Sequence, residues 1–320
     1  MVNQERIERA RISLQGLSVG DAFGDRFFLR FEDCDRIVAA LTLPGPPFDF
    51  TDDTMQRLAD IRCMPDAPWP YTDDTEMAMS IVAVLAQRDE IDEDLLALSF
   101  GQHFNLARKY GAAMTDLLPA YAKGAAWRIE APKLFHGQGS CGNGSAMRVA
   151  PVGAYFADDL EATVANARRS SMVTHTHSEG IAGAIAVAIA AAQAWRTRGA
   201  LPEPAKFIES VLPYVPASDV RHGLETAAAL EEDAPADVAA DILGNGDEIT
   251  AQDTVPFCIW CAAQFMDSYE EALWQTVSAL GDRDTTCAIV GGIVACYTGV
   301  EGIPATWRAA REPLADWSQV

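Results

Sequence analysis

The sequence predicts an all-α protein folded as one compact helical bundle. Three features carry that reading. Apolar residues recur at helical spacing through most of the 320 residues. No sustained period-two alternation bounded by turns announces a strand. No Gly/Ser-rich or Pro-rich linker and no fixed repeat divides the chain, so residues 1–320 read as a single domain.

Residues 4–24 form the first predicted helix, with Ile7, Leu14 and Leu17 on its apolar side. Gly16, Gly20 and Gly24 recur every fourth residue and clear one face for a neighbouring backbone or a ligand. Asp21 falls inside that stretch, a polar residue where burial is expected. Residues 25–70 contain Pro44, Pro46, Pro47, Pro65, Pro68 and Pro70 and read as a surface excursion with at most one short helix. Within it, Thr51-Asp52-Asp53-Thr54 reads as a cap on a short charged helix at 55–64 rather than as a ligand set. Helical spacing then dominates over 75–88, 93–109 and 114–127. Beyond a Gly/Ser loop at 137–145 it resumes over 158–171, 178–197, 204–213, 218–232, 252–266, 269–280, 285–298 and 304–311. The alanine-rich apolar run from Ile181 to Ala194 is short for a bilayer and reads as a buried helix.

A composition of 49% hydrophobic and 22% charged residues suffices for a large core. A formal net charge of -22 and a pI near 4.5 argue against binding nucleic acid or an anionic membrane surface non-specifically. They are compatible with a nucleotide-like ligand in a metal-neutralised pocket. Seven cysteines without framework spacing read as reduced thiols of a cytoplasmic protein, with Cys258-x-x-Cys261 as core packing. The charged stretch Asn3–Arg9 has no apolar signal-peptide segment. The sequence points to no particular protein partner.

The chemistry concentrates in four places. Asp282 and Asp284 stand one residue apart at the mouth of the apolar run 287–296, where desolvation is costly unless a cation neutralises them. Thr72, Asp73 and Asp74 open a second apolar run in the same manner. Oxygen-only donors suit magnesium, calcium or manganese, so the two clusters read as two halves of one metal site. Helix capping is the competing account, and Asp73 with Glu76 matches a capping box. The third place is Gly137–Ser145, whose glycines would let backbone N–H groups approach a diphosphate; it lacks the Lys-Ser/Thr ending of a P-loop. A plain helix connection is its alternative. The fourth is Thr174-His175-Thr176-His177. Histidines at i and i+2 share no helix face, which disfavours zinc and leaves a phosphate or sugar contact, or a histidine satisfied by backbone.

Taken in order, these pieces resemble the ADP-ribosylglycohydrolase family, which includes the dinitrogenase reductase-activating glycohydrolases and the eukaryotic ADP-ribosylhydrolases. The matching stretches are Gly16–Gly24, Tyr71–Thr75, Gly142–Pro151, Thr174-His175 and Gly281–Thr285, spanning nearly the whole chain. The resemblance implies an all-α, orthogonal helical bundle around a two-metal centre of magnesium, or manganese. Thr72, Asp73 and Asp74 would hold one ion, Asp282 and Thr285 the other, with Asp284 bridging. Gly139, Ser140, Cys141, Gly142 and Asn143 match the loop that carries diphosphate and ribose, and His175 matches a ligand-contacting histidine. Three positions depart from the pattern. Phe28 stands where the family often has Glu, with Asp25 a candidate replacement acid one helical turn earlier. Leu280 precedes Gly281 in place of a glycine, and Arg283 fills the middle of Asp-x-Asp.

Glycosidic cleavage at ribose C1 needs an activated water and a proton acceptor, for which Asp73 or Asp74 is expected. The expectation is a magnesium-dependent hydrolase releasing ADP-ribose from a modified side chain or small acceptor. The rivals are hydrolysis of another ribosylated small molecule and a non-catalytic ADP-ribose binder. With Phe28 at the acid's position, an altered acceptor preference is also expected.

Overall fold

A computed structural model describes residues 2–28, 56, 58–231 and 233–319. Among them the regular structure is helical; the only β-type contacts are the isolated bridges Trp69–Arg311 and Gly142–Thr250. The principal helices are α1 (Val2–Gly24), α2 (Asp73–Arg88), α3 (Glu93–His103), α4 (Ala112–Ala122), α5 (Ala150–Tyr155), α6 (Leu160–Met172) and α7 (Ser178–Arg196). They continue with α8 (Pro204–Val211), α9 (Asp219–Ala229), α10 (Ala236–Leu243), α11 (Ala251–Gln264), α12 (Tyr269–Ser278), α13 (Arg283–Thr298) and α14 (Ala305–Ala310). Short helical turns fill several of the connections.

The periodicity located most of these elements to within a few residues. Two departures stand out. The run expected over 93–109 ends at His103, because Phe104 and Asn105 turn extended and the Asn105 side chain accepts from Ala107 N to open a separate turn. Helices α5 and α10, six and eight residues long, lie outside the predicted runs. The Thr51–Thr54 tetrad, Glu32 and the prolines at 44–47 lie outside the described residues. The far end of that excursion is no free surface: Leu58 and Trp69 are fully packed.

The three spaced glycines decide how the bundle is assembled. Helix α1 runs antiparallel to α13 at backbone contact. A Cβ on Gly16 would lie 2.3 Å from Gly291 O, on Gly20 2.1 Å from Cys287 O, and on Gly24 2.1 Å from Arg283 O. Any side chain there would push the helices apart. Ser13 Oγ donates to Gly292 O (2.9 Å) and Tyr269 OH to Gly16 O (2.6 Å), pinning the pair. This register sets the C-terminal end of α1 beside the N-terminus of α13.

Helix α7 threads the core beside α5, α6, α11 and α13. At 19 residues it is long and apolar enough to cross a membrane by length and composition. However, 83% of its apolar window is buried inside the protein, as a core helix requires. Below the α1–α13 pair, Phe23 stacks on Trp307 (4.4 Å) and meets Trp274 edge-on (5.0 Å). Cys258 and Cys261 are buried thiols of this core, as expected.

Candidate active site

The C-terminal end of α1 and the N-termini of α2 and α13 meet at the floor of a cleft of about 490 Å³, a size suited to a small-molecule ligand. Asp73, Asp74, Asp282, Asp284 and Thr285 all line it, though the two clusters lie some two hundred positions apart in the chain. Both helix starts point their positive dipole ends at this acidic floor, which favours the ionised carboxylates.

Asp21 ties α1 to α2. Fully buried, it accepts from Thr72 N (3.0 Å), Thr72 Oγ1 (2.9 Å) and Thr75 N (3.2 Å), and from the Thr75 hydroxyl. Burial raises its pKa to about 7 despite those donors. Thr72 itself is set back from the cleft wall. It is the N-cap of α2, accepting from Asp74 N, so its hydroxyl already serves two carboxylate-bearing residues.

Thr72, not Asp73, caps α2, and the Glu76 carboxylate turns away to accept from Tyr110 OH (2.8 Å) and Asn105 N (3.1 Å). Asp282 occupies the cap position of α13 yet makes no side-chain capping bond. Its carboxylate instead accepts from Asn143 Nδ2 at 2.7 Å, across the cleft floor. The Asp74 and Asp282 carboxylates are therefore not spent on capping, whereas Asp284 Oδ1 accepts from Thr285 N at 2.9 Å, and all three line the cleft.

Their electrostatics are uncompensated. Burial, then the neighbouring charge of Asp21, pushes Asp73 up to about 8. Asp74 and Asp284 are driven well above the usual carboxylate range, first by burial and then by the other acids. Asp74 Oδ2 is buried with no hydrogen-bond partner, while Asp74 Oδ1 only meets Thr285 Oγ1 at 3.5 Å. Among the described residues no three Asp, Glu, His or Cys side chains are gathered into a ready-made ion cage.

The loop expected to carry diphosphate forms the opposite wall through Ser140, Cys141, Gly142, Asn143 and Gly144. Several of its amides are already engaged. Gly139 N donates to Leu134 O, Gly142 N to Ser140 Oγ, and Asn143 N to Ile249 O. Gly139 is absent from the cleft lining; its φ of +76° and the packing of Thr176 Oγ1, 2.1 Å from a would-be Cβ, give it a backbone role. His175 does line the cleft, buried, with burial and then the charge of Arg148 pushing its pKa down to about 3.

Asp25 is buried but does not line the cleft; its carboxylate is ion-paired with Lys109 Nζ, and Lys109 itself reaches the wall. Phe28 is likewise absent from the lining. Its ring lies 5.0 Å from the Arg283 guanidinium, whose Nη1 donates to Phe27 O. The acceptor-side aromatic expected from the sequence is thus packed on Arg283 instead.

The ADP-ribosylglycohydrolase family model matches residues 2–319. The chain belongs to the ADP-ribosylglycohydrolase family. Among its relatives is mouse (Mus musculus) ADP-ribosylhydrolase ARH3, 27% identical over 349 residues that cover 96% of this chain and 88% of the mouse protein. The human (Homo sapiens) ARH3 is 27% identical over 270 residues, 74% of this chain and 73% of that one. An uncharacterized protein of Archaeoglobus fulgidus is 30% identical over 311 residues, covering 94% and 90%. A solved structure titled as an ADP-ribosylglycohydrolase-related protein complex superimposes with a TM-score of 0.56 over 96% of this chain and 93% of that one. At 24% identity it supports the fold.

For this family member, sequence reasoning missed several cleft residues. Phe135 and Ile249 both line the cleft, exposed and in the left-handed region (φ 51° and 56°). Bulky side chains hold that conformation only where surroundings impose it, often at binding sites. Nothing in their local sequence announces it. Asp21, expected to be buried, is the one carboxylate of the Gly16–Gly24 stretch, and its tie to Thr72 and Thr75 was not foreseen. The Leu280 departure also has a local consequence. Leu280 and Gly281 are both left-handed (φ 59° and 65°), and a Cβ on Gly281 would lie 2.3 Å from Asn245 O. Gly281 is therefore required, while Leu280 keeps its strain in return for packing on the core.

Proposed function

We propose that this chain is a divalent-metal-dependent hydrolase that releases ADP-ribose from a modified protein side chain or small acceptor. Membership of the family and the ARH3 relatives support ADP-ribosyl glycohydrolase activity. The observation that carries the metal is the orphaned, buried Asp74 Oδ2 on a floor where burial and neighbouring acids push the Asp73, Asp74 and Asp284 carboxyls up. Such a cluster is stable in ionised form only with a cation, and its oxygen-only donors fit magnesium or manganese.

Thr72, Asp73, Asp74, Asp282, Asp284 and Thr285 are the residues that would hold the ions, which when bound supply countercharge and polarise water and ribose hydroxyls. The protein's own part follows from geometry. Asp73 and Asp74 line the cleft at the start of α2, where an ionised carboxylate is placed to accept the proton of an attacking water. Asn143 keeps Asp282 oriented through its 2.7 Å bond. Ser140 and Cys141 present the loop segment left open to a diphosphate, and Phe135 offers an exposed ring on which a base can stack.

The test is parallel assay of ADP-ribose release from arginine-, serine- and nucleotide-linked substrates, with magnesium, manganese or chelator. Release that needs a divalent ion and is lost in Asp284→Asn is the expected result. Undiminished release after chelation would remove the metal, and no release from any substrate would remove the enzyme.

A further inference from the structure

Arg148 is the least expected charge in the molecule. Its guanidinium is fully buried behind the cleft, with no carboxylate ion-paired to it among the described residues, and burial pulls its pKa to about 9, still cationic at neutral pH. It packs over the Phe100 ring (4.6 Å), and its Nη2 donates to Ser170 O (3.0 Å) and Thr174 Oγ1 (2.8 Å). Thr174 Oγ1 in turn lies 2.7 Å from His175 Nδ1.

We propose that Arg148 is a positioning residue that, through Thr174, fixes His175 with its proton on Nε2, directed at the cleft. The hydrogen count supports it. A guanidinium can only donate, so the Thr174 oxygen accepts from Arg148; the hydroxyl keeps one proton to give, and Nδ1 at 2.7 Å is the acceptor that faces it. The single ring proton then resides on Nε2. That edge of the ring abuts the glycine wall: positions a Cβ would take on Gly144 and Gly142 lie 3.0 Å and 3.4 Å from Nε2. The glycines thus leave the Nε2 edge room, and His175 lines the cleft. Burial, and then the charge of Arg148 two hydrogen bonds behind the ring, push its pKa down to about 3 and keep a second proton off it. His175 is then a fixed, uncharged donor to an anionic or hydroxyl oxygen of the ligand. Its orientation requires no choice between tautomers when the ligand arrives.

The ligand part rests on the ADP-ribose reading above; the tautomer does not. Nitrogen-resolved NMR of the imidazole in the ligand-free protein should show the proton on Nε2 in wild type. In Thr174→Val, and in Arg148→Met, that preference should be lost, and Thr174→Ser should restore it. The Kd for ADP-ribose, and KM in turnover, should rise roughly tenfold in Thr174→Val with kcat changed far less, as expected for one lost ligand hydrogen bond. If Arg148→Met fails to fold, the Thr174→Val and Thr174→Ser pair decides the matter. A wild-type proton on Nδ1, or a Thr174→Val protein with an unchanged spectrum and unchanged Kd, would overturn the proposal. Absent turnover beside the expected spectrum would strike the enzymatic reading alone.

Discussion

Asp74→Asn should stabilise the metal-free protein while abolishing its response to magnesium. Asp74 is 1% exposed, carries an oxygen with no partner, and faces Asp21, Asp73, Asp282 and Asp284. Replacing it removes a charge held at a pKa far above normal, and each pKa unit so relieved is about 1.4 kcal/mol. Against this stands the loss of a carboxylate at a helix start, about 0.3–1 kcal/mol. The 3.5 Å contact from Thr285 costs little, because the Asn oxygen still accepts it. The new amide also donates to the neighbouring acids. The net is about 1–3 kcal/mol of stabilisation near pH 8, allowing for solvent relaxation around buried charges. At this chain length that is about 2–5 °C in Tm. The assay is thermal unfolding in chelator and in millimolar magnesium. Wild type should rise with magnesium as any ligand-bound native state does, and Asp74→Asn should not. A variant less stable than wild type in chelator, still rising with magnesium, would refute the idea of an uncompensated acid cluster awaiting a cation.

Three further outcomes are expected. Asp21 and Asp73, with folded pKa values of about 7 and about 8, bind protons in the native state that the unfolded chain releases above about pH 4. Their contribution to stability is therefore lost as pH rises through that window, and the thermal shift given by magnesium should grow between pH 6 and pH 8, as a melting series with and without the ion will show. Phe135→Ala should weaken ADP-ribose about tenfold through lost stacking while leaving ribose 5-phosphate unchanged in calorimetry. Gly20→Ala, which sets a Cβ 2.1 Å from Cys287 O, should cost about 1–3 kcal/mol or more in chemical unfolding, whereas Gly111→Ala, with open space around it, should cost far less.

The sequence by itself determined the helical class, most helix positions and the acidic clusters, because these depend on local spacing and residue chemistry. A close approach at the glycine face of α1 was legible for the same reason, since glycines four apart clear a face of any helix, but that α13 fills it was not. Caps and ligands could not be told apart at that level. An Asp at a helix start looks the same in either role, and only the neighbours that fill or ignore its oxygens decide. Thr72 turned out to do the capping, while Asp282 turned to Asn143. The tertiary structure alone decided that Asp25 answers to Lys109 and Phe28 to Arg283, since those partners lie tens to hundreds of residues away. It alone revealed the Arg148–Thr174–His175 relay and the left-handed Phe135 and Ile249 at the rim. Burial, which pushes the cleft carboxyls up and the His175 imidazole down, is a property of the assembled fold and has no local signature in the chain.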